Sequence, residues 1–199
     1  MSGVRMSIPV LLLLVACDLS AHEAEGGSTS GLFGLKPEYV HVLLNPLPVY
    51  GLLIGVLVLT VGLIARSTAA RKTGLIITVL CGAAAWPVLY FGQHAYNQLH
   101  ATLDPASQQW LEVHMARAER YVYAFYATAL LGIGALVPRK TFLKTRNVLA
   151  VLTLISALVA LGLGGWISRA GGQIRHSEFR GGEAPSDDSS HHYESKRHE

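Results

Sequence analysis

Charge is scarce in this 199-residue chain: Asp, Glu, Lys and Arg together make up 15% of it, where ordinary soluble domains carry about a quarter. With 51% hydrophobic residues and a mean hydropathy of +0.36, that shortage excludes a typical soluble domain and a wholly disordered chain. Cysteine is scarcer still. Cys17 and Cys81 are the two present, so neither a disulfide framework nor a cysteine-type zinc site is available. Cys81 lies inside an apolar run and reads as a small packing residue. The signatures of several chemistries are also missing. There is no Gly-rich phosphate loop, no Gly-x-Ser-x-Gly elbow, no His-Glu-x-x-His and no Cys-x-x-Cys-His.

What is present begins with a targeting segment. Arg5 forms a short positive region, and Ile8 to Val15 an apolar run too short to span a bilayer, which takes about 20 apolar residues. Leu14-Val15-Ala16-Cys17 then resembles the lipobox of bacterial lipoproteins. That resemblance implies a signal peptide over residues 1–16, lipidation of Cys17, and retention in the inner membrane through Asp18. Residues 17–37 read as a Gly-, Ser- and Glu-rich tether, and residues 179–199 as a disordered, His-rich tail.

Between them, residues 38–178 hold four apolar runs: 42–65, 74–92, 121–137 and 148–167. Each is long enough for a transmembrane helix. No carboxylate lies within a run, which argues against a proton pump or ion-coupled transporter. Pro46 and Pro48 fall near the start of the first run, and Pro87 should kink the second. The link between the first two runs carries Arg66, Arg71 and Lys72, and the link between the last two carries Arg139, Lys140, Lys144 and Arg146. These are 7 of the 16 basic residues, with no acid among them. Positive loops stay in the cytoplasm, so the N-terminus, the 93–120 segment and the C-terminus face outside. The basic residues are then topological anchors rather than a nucleic-acid surface. The expectation is an all-α, multi-pass protein of the bacterial inner membrane: two antiparallel hairpins forming a four-helix bundle, packed through Gly82 to Ala85, Gly132 and Gly134, and Gly162, Gly164 and Gly165.

Nine histidines are many for this length. Five collect at the expected outer boundary: His41, His94, His100, His114 and His176. Imidazoles suit membrane interfaces without any ligand, yet they also ligate haem iron and other metals, and a bundle can converge ligands from facing helices. Tyr90 lies one turn before His94 on one face. His114, Arg117 and Tyr121 share another. The sharper expectation is one b-type haem at the outer face, held by His94 and His114 on the middle helices, with His41 and His176 as alternates and Arg117 or Arg175 at the propionates.

The segments His41-Val42-Leu43-Leu44-Asn45-Pro46-Leu47-Pro48, then His114, then Gly171-Gly172-Gln173-Ile174-Arg175-His176 resemble a family of uncharacterised bacterial membrane domains built as two helical hairpins. The resemblance covers about residues 38–178 and implies the fold more than a function. At the opening segment that family more often shows two histidines, where this chain has His41 alone. Gly171-Gly172 reads as a helix C-cap, after which Gln173 to Glu178 can fold back over the bundle. The resulting expectation is a non-enzymatic, lipid-anchored membrane protein in contact with lipids and other membrane subunits. It would serve an electron-transfer or envelope complex, the alternatives being a cofactor-free assembly subunit and a metal-handling membrane protein.

Overall fold

The computed structural model describes residues 34–137, 143–182 and 184, with the side chains of residues 143–146 excepted. The signal segment 1–16, Cys17, most of the tether, Arg139, Lys140 and the tail histidines His191, His192 and His198 lie outside the described residues. Among those described, every regular element is helical. Helix α1 (Pro37–Leu44) runs through a π-helical turn (Leu47–Gly51) into α2 (Leu52–Ile64). A three-residue turn leads to α3 (Thr68–Ala83), followed by α4 (Ala85–His100), α5 (Pro105–Leu136), α6 (Leu143–Arg175) and a 3-10 turn (Ser177–Phe179).

Local chemistry accounts for the boundaries. Pro37 occupies the first turn of α1 with Glu38 beside it, where a missing N–H costs nothing and an acid suits the helix dipole. The first helix therefore starts before residue 42, and His41 lies inside it. Pro46 and Pro48 remove two backbone donors, and the ladder widens there: the Gly51 N–H reaches the Pro46 carbonyl at 3.4 Å, five residues back. Pro87 likewise has no N–H to offer the Ala83 carbonyl, and α3 gives way to α4 at Ala84. Ser67 caps α3 by accepting from the Ala70 N–H. Asp104 caps α5 by accepting from the Ala106 and Ser107 N–H groups, both at 3.1 Å.

Pro37–Ile64, Thr68–His100 and Asn147–Arg175 are helical stretches long and apolar enough to cross a membrane. Helix α5 differs. Its first half carries Glu112, His114, Arg117, Glu119 and Arg120, leaving residues 121–136 as the uncharged part. At about 1.5 Å per residue that part is about 24 Å long, short of the roughly 30 Å hydrocarbon core. The exterior is apolar on several helices: Ile54, Leu57, Val61 and Ile64 on α2, Leu130 and Ile133 on α5, and Ile155, Leu158 and Val159 on α6 are all exposed. Contiguous apolar surface of this kind is a lipid-facing or partner-facing surface rather than a water-facing one.

Inside, α5 packs on α3, α4 and α6, while α1 packs on α4, and α2 on α3 and α6. Three apolar clusters fill the interior. Leu59, Leu75, Ala135 and Ala150 form one; Leu52, Val56, Cys81, Phe125 and Ala157 belong to the second; Tyr96, Trp110, Met115 and Ile174 belong to the third. The Thr128 hydroxyl donates to the Ala124 carbonyl at 2.8 Å and shares a second hydrogen bond, also 2.8 Å, with the Ser156 hydroxyl. Arg71 donates to the Asn147 side chain at 2.6 Å, so the α2–α3 link and the start of the membrane-length part of α6 share one end of the molecule.

Small residues permit the tightest approaches, though not all where the sequence pointed. Gly82 faces the Phe125 carbonyl and Gly132 the Val79 side chain, but Gly162 and Gly165 face open space. The closest crossing is α2 on α3, through Gly62 against the Arg71 backbone and Gly74 against the Leu59 backbone. A Cβ on Gly74 would stand 2.5 Å from the Leu59 nitrogen. Because backbone cannot rotate away, Gly74→Val is expected to cost about 3 kcal/mol, the upper end of overpacking penalties, read as an earlier midpoint in denaturing-detergent titration.

Candidate functional site

The site is built from two imidazoles on non-adjacent parts of the chain. His41 projects from α1, where the π-helical turn has reset the helix phase relative to α2. Its Nδ1 lies 2.8 Å from the Val88 carbonyl of α4. His114 projects from α5, and its Nδ1 lies 3.0 Å from the Ile167 carbonyl of α6. A carbonyl only accepts, so each Nδ1 carries the proton and donates. In the neutral ring this leaves Nε2 as a lone pair. The two ring centres are 6.4 Å apart and the ring planes meet at 89°.

Two glycines make this placement possible. A Cβ on Gly92 would stand 2.9 Å from His41 Nδ1, and a Cβ on Gly171 would stand 3.1 Å from His114 Nδ1 and Cε1. Gly171 and Gly172 do not end a helix, since α6 continues to Arg175. The Gly-Gly pair expected to be a C-cap instead lies within the helix, with His114 against its first glycine.

Both histidines line a cavity of about 760 Å³, within the usual size range of cofactor sites, about 300–1,000 Å³. Its walls are mainly apolar, with Leu111, Met115, Val122 and Phe125 contributed by α5, and the charged residues Lys36, Glu38 and Arg175 also line it. Lys36 is the N-cap of α1 and Arg175 the last residue of α6, so each cation is placed by a helix end.

The other expected residues lie elsewhere. His94 is exposed. Its Nδ1 donates back to the Tyr90 carbonyl at 2.8 Å, and its ring lies 4.2 Å from that of Tyr90. The face shared by Tyr90 and His94 is real, but it points away from the cavity, so His94 and His114 are not brought together. His176 is exposed and paired with Glu178 at 3.0 Å. His100 stands 3.4 Å from Glu112. Arg117 lies over the Trp166 ring at 3.9 Å, on another side of the α5–α6 contact, so of the two arginines singled out in the sequence only Arg175 lines the cavity. Sequence reasoning passed over Lys36 and Gly92. Lys36-Pro37 was readable as a helix start, whereas Gly92 gives no local signal.

The chain beyond Arg175 does fold back. Arg180 donates from Nε to the Gln173 carbonyl at 2.8 Å and from Nη2 to the Ser107 hydroxyl at 2.7 Å. The Ser107 hydroxyl in turn bonds the Asp104 carboxylate. That hydroxyl, followed by the Ser107 N–H, holds the Asp104 carboxyl below the usual carboxylate range, with the Arg180 charge adding to it. Among the described residues no group of three His, Cys, Asp or Glu side chains is placed to hold a metal ion. His41 and His114 are the two imidazoles that the fold brings to one cavity. No family model matches the chain, and neither a curated protein nor a solved structure matches it.

Proposed function

We propose that the chain is an integral-membrane electron carrier that binds one b-type haem between His41 and His114, as a non-enzymatic subunit of an electron-transfer complex. The separation of the two imidazoles carries this reading. Two imidazoles that would hold one metal ion between them must stand within a few ångströms of each other. The observed separation is 6.4 Å. The carbonyls of Val88 and Ile167 fix each ring by its Nδ1 proton, which is how proteins orient ligating histidines and raise their basicity. The apolar walls suit a porphyrin face, and Lys36 and Arg175, which share the lining with Glu38, would meet its propionates. Bound there, the haem would supply one-electron chemistry.

In this reading α5 is the fourth span, and the helices form a four-helix bundle. The basic α2–α3 and α5–α6 links face the cytoplasm under the positive-inside rule. The site then lies toward the outer face of the bacterial inner membrane, with Cys17 lipidated outside. The test is the reduced-minus-oxidised spectrum of protein purified in mild detergent from haem-replete cells, with metal content on the same sample. A sharp b-type band at one haem per chain is expected. A flat spectrum with no stoichiometric metal would leave a cofactor-free assembly subunit, and stoichiometric copper or zinc without a Soret band would leave a metal-handling protein.

A further inference from the structure

A second concavity, independent of the histidine cavity, lies between α5 and α6. It measures about 220 Å³, and its walls are Trp110, Arg117, Trp166, Arg169 and Gln173. These side chains sit at matched spacings, i and i+7 on α5 and i, i+3 and i+7 on α6, so each helix turns one stripe toward the gap. The lining holds two guanidinium groups and no carboxylate. Arg117 is buried with its guanidinium over Trp166, an arrangement that fixes the plane of its N–H groups. Gln173 is buried and fixed as well, its amide donating to the Phe179 carbonyl at 3.2 Å.

The position along the helices identifies the occupant. One turn from Arg117, Tyr121 packs against Trp166 with ring centres 5.5 Å apart. Arg120 lies 5.9 Å from the Tyr121 ring. Beyond this aromatic level the exposed surface becomes apolar, through Leu130 and Ile133 on α5 and Leu158 and Val159 on α6. Tyr and Trp mark the headgroup level of a membrane protein. The doubly cationic concavity thus opens where a lipid phosphate sits, with apolar helix surface below it for acyl chains.

We infer that this concavity binds the phosphate diester of an anionic phospholipid, with Arg117 and Arg169 donating to its oxygens and the acyl chains lying along the exposed α5 and α6 faces. Guanidinium groups match phosphate oxygens in geometry as well as charge, and the two indoles offer further donors.

The full-length protein, titrated with phosphatidylglycerol or phosphatidylcholine and observed by native mass spectrometry, tests this. Phosphatidylglycerol should be retained in preference. Arg169→Gln should weaken it about fivefold, the effect of one surface cation on an anionic lipid. Arg120→Gln removes the same charge outside the concavity and should leave retention unchanged. Arg117→Lys keeps the charge without the stacked plane and should also weaken retention. Equal retention of the two lipids, or equal losses in Arg169→Gln and Arg120→Gln, would overturn the inference in favour of diffuse attraction. Displacement of phosphatidylglycerol by millimolar inorganic phosphate would overturn it in favour of a free-anion site.

Discussion

His41→Ala and His114→Ala are each expected to lose most of the bound haem, at least about tenfold, because replacing even the groups that orient a metal's ligands costs about 10–100-fold. His94→Ala and His176→Ala should retain full occupancy. Each of those rings is exposed and satisfied within its own segment, His94 by Tyr90 one turn back and His176 by Glu178. The four variants together separate a two-ligand site from a general effect of removing interfacial histidines. Exogenous imidazole adds a control against misfolding. If His114→Ala fails only for want of a ligand, imidazole should restore the low-spin spectrum. His114→Met should keep haem and raise its midpoint potential, since thioether ligation favours the reduced iron. Full occupancy in His41→Ala would sink the assigned pair.

The sequence grouped five histidines at one boundary without deciding which two of them meet. Hydrophobic runs, their lengths and the acid-free basic links are one-dimensional signals, and they placed five histidines at one end of the helices. Choosing partners among them needs helix phase. Tyr90 and His94 share a face as their spacing required, but the spacing could not say whether that face met α1 or the exterior. The π-helical turn at Leu47–Gly51 adds about one residue to a turn and so rotates what precedes it by roughly 100° relative to α2. Pro46 and Pro48 read as prolines tolerated at a helix entry, so the π-helical turn was not foreseen and the direction of His41 was open. The second apolar run was interrupted at Ala84, as Pro87 foretold. The start of the first helix at Pro37 was also readable, since a proline at the first helical position followed by an acid is an N-terminal signal. Gly171-Gly172 shows the opposite limit. Glycine reads as a helix stop when nothing else is known, and only the third dimension shows that it faces His114.

Gly92→Ala and Gly171→Ala are expected to move haem occupancy and helix stability in opposite directions. Both glycines lie inside helices, where alanine gains about 1 kcal/mol in propensity. At Gly92 the added Cβ would meet His41 Nδ1 at 2.9 Å, and at Gly171 it would meet His114 at 3.1 Å. Each ring must then shift by a few tenths of an ångström, which strains its Nδ1–carbonyl bond. Occupancy should fall about tenfold, in line with the loss of a group that orients a metal ligand. The apo form, titrated with denaturing detergent, should be as stable as the parent or more so. Gly172→Ala and Gly165→Ala provide the comparison, because their Cβ atoms would meet nothing within 4 Å. They should gain helix stability and leave haem untouched. A purely structural role for the glycines would make Gly92→Ala and Gly171→Ala less stable in the apo form. The opposed signs follow only if close approach to the imidazoles is what keeps these two positions free of a side chain.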